Sequence, residues 1–222
     1  MPSYRLLIIA SALAYYFLAG VGAFGMIFFR RHYGVAHGEA VALIVVLGLG
    51  ALVGVAGGGR LSTWLLKRGS LNARITLPAV ALFASAPPLA FGILTTSVWL
   101  AVVLLTLGAA VLAAAVAPID AARLDIVHPR LWGRAESGRM ALRSALEGSA
   151  PLLFGAMSGW LGGGGQGLAW TFLIMLAPLI AACFVVIPGR RTYPRDVATA
   201  AASVDAIARR GGGGEGRAGD AR

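Results

Sequence analysis

Residues 120–140, DAARLDIVHPRLWGRAESGRM, hold seven charged side chains in 21 positions, although charged residues make up only 13% of the 222-residue chain. Carboxylates and guanidiniums gathered in this way can hold a metal, carry a proton or lock two helices through ion pairs. Just beyond, Arg139, Arg143 and Glu147 follow at i, i+4 spacing and so share one helix face. If that helix starts at Arg134, Glu147 lies thirteen residues in, well inside an apolar zone. A carboxylate there is costly unless paired or protonated, and by default it marks a functional position. Two readings follow for Glu147: a proton-coupling group whose pKa changes with exposure, or a structural ion pair with Arg143 or a partner helix. Asp120, Arg123 and Leu124 share a second face near the end of the preceding apolar run. Asp120 is expected either to form a cytoplasmic gate pair with an arginine of the next helix or to be a solvated helix end.

Enzymatic chemistry fits these residues poorly. An intramembrane serine protease needs a Ser in a G-x-S-G loop and a His on another span; GAMSGW (155–160) is one residue out of register, and no apolar run carries a His. A phosphatidyl-alcohol transferase needs roughly four aspartates around a bound metal, whereas DAARLD (120–125) supplies two and lacks the glycine. His32, His37 and His128 are far apart in sequence and lack ligand spacing, so no metal site and no cofactor are expected. Cys183 is the chain's one cysteine, which excludes an intrachain disulfide. The expectation is a protein that is not an enzyme.

The elements that must position these charges are apolar. Hydrophobic residues make up 58% of the chain, and they come in long runs. A hydrocarbon core of about 30 Å takes roughly 20 helical residues to cross, so such runs read as membrane spans. Six are expected, at about 4–29, 39–66, 72–94, 98–127, 134–161 and 168–187, with prolines at 78, 87, 88, 118, 151 and 178 inside several of them. The first run is too long for a signal-peptide core and has no clean cleavage site, so it reads as a retained helix. Small residues, among them Gly48, Gly50, Gly54, Gly57 and Gly108, allow close helix approach. Residues 190–222 read as a cytoplasmic tail, mostly disordered, with a short helix possible over 195–210.

The formal charge of +10 would suggest nucleic acid in a soluble protein, but the basic residues sit between apolar runs and in the tail. With six spans, sixteen Lys and Arg fall on the side of the termini and only Arg30 and Arg31 on the other. The positive-inside rule then places both termini in the cytoplasm of a cell (inner) membrane protein, with the bilayer rather than nucleic acid as its surroundings. The stretches GVAGGGRLS (54–62) and GWLGGGGQG (159–167) each end the second helix of a triplet, on opposite membrane faces. That is the arrangement of a 3+3 inverted repeat.

The stretch GVAGGGRLSTWLLKRG (54–69) resembles the loop between the second and third helices of a half of the major facilitator superfamily, where glycines, an acidic residue and basic residues form a latch. Gly54, Gly58, Arg60, Lys67 and Arg68 match its glycines and basic residues; the acidic position, near Ser62 or Thr63, is not acidic. LNARITLPAVALFASAPPLAFG (71–92), APIDAARLDIVHPRLWGRAE (117–136), ALEGSAPLLFG (145–155) and RRTYPRDVATAAA (190–202) are similar to the second half of actinobacterial-type members. The resemblance implies an all-α polytopic six-helix bundle, half of that fold, belonging to a secondary transporter that moves a small solute by alternating access. Spans one and four would line the path, offering Ser11, Tyr15, Tyr16 and Thr106, in a mostly apolar cavity suited to a lipophilic or weakly polar substrate. The partner implied is an amino-terminal six-helix half or a second copy. The alternative is a non-transporting membrane subunit, or a truncated piece that needs a partner half.

Overall fold

The computed structural model describes residues 2–70, 72–127, 132–200 and 202, and no strand forms among them. The elements are α1 (Pro2–His32), α2 (His37–Lys67), α3 (Ala73–Leu94), α4 (Val98–Ala113), α5 (Val116–Asp125), α6 (Trp132–Trp160), α7 (Gly164–Ile174) and α8 (Leu176–Val186). Residues 189–200 form a further helix, α9. The protein is all-helical, as its apolar runs require, because every backbone polar group in hydrocarbon must find its partner within the chain.

Among the described residues five stretches are long and apolar enough to cross a bilayer: Ser3–His32, His37–Lys67, Ala73–Leu94, Val98–Asp125 and Gly164–Val186. Helix α6, which takes in the expected fifth span, is 29 residues long but is not among them. Glu136, Arg139, Arg143 and Glu147 occupy its amino-terminal half and lower its hydropathy.

Two of the apolar runs are each divided into two helices, and proline chemistry explains where. Proline lacks an N–H and its ring crowds the carbonyl four residues back. Pro118 therefore opposes helix continuity at Ala114, and α4 gives way to α5 across Ala114–Ala115. Pro178 acts in the same way on Ile174, and α7 gives way to α8 at Met175.

Helices α2 and α4 run parallel and touch through backbone. A Cβ on Gly54 would strike the Ala110 carbonyl, and one on Gly58 the Ala114 carbonyl, while Gly50 faces Thr106. The spacing of four on both helices keeps these contacts on one stripe, the small-residue packing that membranes favour. Gly57, by contrast, has open space around it. On the other side of the bundle, an aromatic cluster joins α1 to α6 and α7. Phe154, fully buried, stacks on Phe24 at 6.2 Å and meets Phe172 edge-on at 5.4 Å. Helix α3 packs against α4 and α8, and α1 against α6, α7 and α8. Helix α2 stays on the flank; its buried residues are Ala40, Gly54, Gly58 and Ser62.

Candidate functional site

Helix α1 presents Ser11, Tyr15 and Leu18 along one face, because positions three and four apart lie above one another. The break between α4 and α5 turns Ala115, Val116, Ile119 and Asp120 toward the same space. Between them lies a narrow cleft of about 10 Å³, lined also by Leu82. It shares Leu18 and Leu112 with a wholly apolar cavity of about 70 Å³, walled by Phe17, Phe28, Leu89, Leu105 and Phe172 among others. Ser11 and Tyr15 are thus brought together at a cleft. Tyr16 turns to Phe154 instead, ring centroids 6.5 Å apart, and its buried hydroxyl has no hydrogen-bond partner among the described residues. Thr106 faces Gly50 at the α2–α4 contact.

Helix α6 borders this face with a charged pair. The Arg143 guanidinium lies 3.5 Å above the Tyr15 ring. Its Nε donates to Glu147 Oε1 at 2.7 Å, and both side chains are 31% exposed. Cation–π attraction on one side and an ion pair on the other fix the orientation of Arg143. The i, i+4 spacing of Arg143 and Glu147 was legible in the sequence; the role of Tyr15 as the stacking surface was not, since it lies on another helix.

A second group closes the link between α5 and α6. Arg123, with its side chain 9% exposed, donates to Asp120 at 3.1 Å and also pairs with Glu136. Glu136 in turn takes both Nε and Nη2 of Arg139. Asp120 therefore pairs with an arginine of its own helix, and the cross-helix contact runs from Arg123 to Glu136. His128 and Arg130 lie outside the described residues, as does the side chain of Arg134.

A third group was not foreseen. Arg74 at the start of α3 pairs with Asp125 at the end of α5. Tyr193 of α9 donates to Asp125 at 2.6 Å. Tyr193 is 3% exposed, and burial first, then the bond to Asp125, pushes its phenol well above the usual tyrosine range. Asp196 of α9 accepts from the Ser3 N–H at 3.1 Å, and the hydroxyls of Ser3 and Thr192 lie 2.6 Å apart. The beginning of the expected tail is thus a helix docked on the ends of α1, α3 and α5. Its signal was the apolar spacing of Tyr193, Val197 and Ala200, hidden by Arg190, Arg191 and Arg195 around them.

In the segment resembling a latch, Gly54 and Gly58 serve the α2–α4 packing, and Arg60 is exposed. The Arg68 guanidinium sits 3.7 Å above the Trp64 ring, and Lys67 ends α2. Ser62, near the position that is acidic in the resembling loop, is buried with its hydroxyl unpaired.

This architecture is that of a multi-pass helical membrane protein, and its fold is similar to that of a transporter of known structure. The structural likeness is to crystal structures of a bacterial homologue of the human lysosomal transporter Spinster. The inward-facing unoccupied form aligns with a TM-score of 0.76 at 20% identity, covering 88% of this chain and 49% of that one. The inward-facing occupied form aligns with a TM-score of 0.74 at 20% identity, covering 88% and 50%. The chain therefore spans about half the length of the proteins it resembles in structure. No protein-family model and no curated protein sequence matches it.

Proposed function

We propose that the chain acts as one half of a secondary transporter, moving a small, mostly apolar solute by alternating access against an amino-terminal half. The observation that carries this reading is the Arg143–Glu147 pair, stacked on Tyr15 beside the cleft and half-exposed midway along α6. Charged side chains at membrane depth face a bundle interior or a water-filled path rather than lipid. Left against hydrocarbon, each would cost about 2.5–3.5 kcal/mol on insertion scales. A second half, or the aqueous path between halves, removes that penalty. The fold and its coverage of half a transporter support the same reading, and the apolar cavity next to the cleft supports the solute class.

Glu147 is the proposed proton-coupling group, and the test combines reassembly with one substitution. Proteoliposomes would hold the chain with and without an amino-terminal six-helix half, under an imposed pH gradient, and a set of lipophilic fluorescent solutes would be followed. Movement is expected only when both halves are present, and Glu147→Gln should remove its pH dependence. A monomeric chain that moves no solute with any such half would leave the non-transporting subunit as the better account. Unchanged pH dependence in the variant would remove Glu147 from the coupling step.

A further inference from the structure

On the outer side of the bundle, away from the cleft, α3 and α8 leave a groove that is apolar along its length and basic at one end. Two connected openings, of about 520 and 470 Å³, share Thr76, Val80 and Arg190. The trough is floored by Ala79 and Cys183, and its walls carry Val80, Phe83, Phe184 and Ile187, all four of them exposed. The mouth carries Ser70, Asn72 and Arg190. We propose that this groove binds an anionic phospholipid, with one acyl chain in the trough and the phosphate at Arg190.

Length and charge each support that occupant. Phe83 lies ten residues beyond Ala73, about 15 Å along a helix rising 1.5 Å per residue. That is half of a hydrocarbon core of about 30 Å, the depth reached by one leaflet's acyl chain. Arg190 is exposed and makes no ion pair among the described residues, so its charge is available at the mouth. Lys67 and Arg68 end the neighbouring α2 and add to the positive field there. The mouth opens on the basic end of the bundle, where juxtamembrane cations attract anionic lipid at about 1 kcal/mol each. An apolar groove alone would take any acyl chain; the exposed charge of Arg190 is what selects the headgroup.

The experiment is native mass spectrometry of the purified full chain, incubated with equimolar phosphatidylglycerol and phosphatidylcholine. Retention of phosphatidylglycerol is expected over phosphatidylcholine, and Arg190→Gln should reduce that preference about five-fold. Arg31→Gln, which removes an exposed charge at the other end of α1, should leave the preference unchanged. Ala84→Trp, which fills the trough, should lower retention of both lipids, with circular dichroism confirming that the helices are retained. Equal retention of the two lipids by the unaltered chain overturns the proposal. So does an Arg31→Gln effect as large as that of Arg190→Gln, or full retention by a folded Ala84→Trp chain.

Discussion

Gly54 and Gly57 lie one turn apart on the same helix, and the structure gives them opposite fates on gaining a methyl group. A Cβ on Gly54 runs into the carbonyl and Cα of Ala110, whereas a Cβ on Gly57 meets nothing within 4 Å. Alanine is favoured over glycine in a helix by about 0.8–1 kcal/mol, and that term applies to both sites. The difference between the two alanine variants therefore isolates the contact. The obstacle at Gly54 is backbone, which cannot rotate away, so α2 and α4 must separate. Overpacking of this kind costs about 1–3 kcal/mol. At about 2–4 °C per kcal/mol for a chain of this size, Gly54→Ala should melt about 2–12 °C below Gly57→Ala. The assay is thermal unfolding of the purified variants in one detergent, followed by tryptophan fluorescence and by the monodisperse fraction left after heating. Equal melting temperatures, or a lower one for Gly57→Ala, would refute the close α2–α4 approach.

Three further outcomes follow from the charge groups. Arg123→Gln removes the buried guanidinium that Asp120 and Glu136 share, and because those carboxylates are 41% and 35% exposed the cost should stay at about 1–3 kcal/mol. Arg143→Gln, which breaks a half-exposed pair, should cost no more than about 1 kcal/mol, and a melting order with Arg143→Gln below Arg123→Gln would count against this account. Tyr193→Phe should cost about 0.5–1.5 kcal/mol at neutral pH through the lost bond to Asp125. Because the folded state raises the Tyr193 pKa above the usual value of about 10, its contribution is complete below that pH and is lost as pH rises through the shifted value. The alkaline fall in melting temperature should accordingly be shallower in the phenylalanine variant, and identical pH profiles would dissociate Tyr193 from that fall.

Five apolar stretches long enough to cross a bilayer were legible because long apolar runs are a one-dimensional signal, whereas α6, expected as a sixth, is not among them. Prolines marked spans three to six alike, yet only Pro118 and Pro178 coincide with a break four residues upstream, while α3 and α6 run on through Pro78, Pro87, Pro88 and Pro151. Which glycines make contact was less legible. Gly48 and Gly57 have no neighbours within 4 Å, while Gly50, Gly54 and Gly58 pack on α4, because a helix face is chosen by its partner as well as by its own sequence. The candidate site divides in the same way. Arg143 and Glu147 pair through local i, i+4 spacing, which a sequence shows directly. Tyr15 over Arg143, Arg123 with Glu136, and Tyr193 on Asp125 join distant elements, and only the fold brings them together. Helix α9 was obscured because arginines flanking Tyr193 resemble a solvated tail, although Tyr193 itself is buried.

The pairing pattern also bears on what could serve as a gate. Alternating access moves one rigid bundle against another, so a gate between them must exchange partners across the dividing face. Asp120, Arg123, Glu136 and Arg139 already satisfy one another within the chain, as do Arg74 and Asp125. Breaking such internal pairs would loosen α5 from α6, or α3 from α5, and would soften the bundle that has to move as a unit. On the proposed transport reading these groups act as braces at the basic end of the bundle, with α9 fastened across it. On the same reading, Arg60, exposed on the flanking helix α2 and without an ion pair among the described residues, is a further charge that could serve a gate. A brace and a gate respond differently to substitution: losing a brace lowers the melting temperature of the isolated chain, whereas Arg60→Gln should leave it unchanged and alter only the reassembled protein.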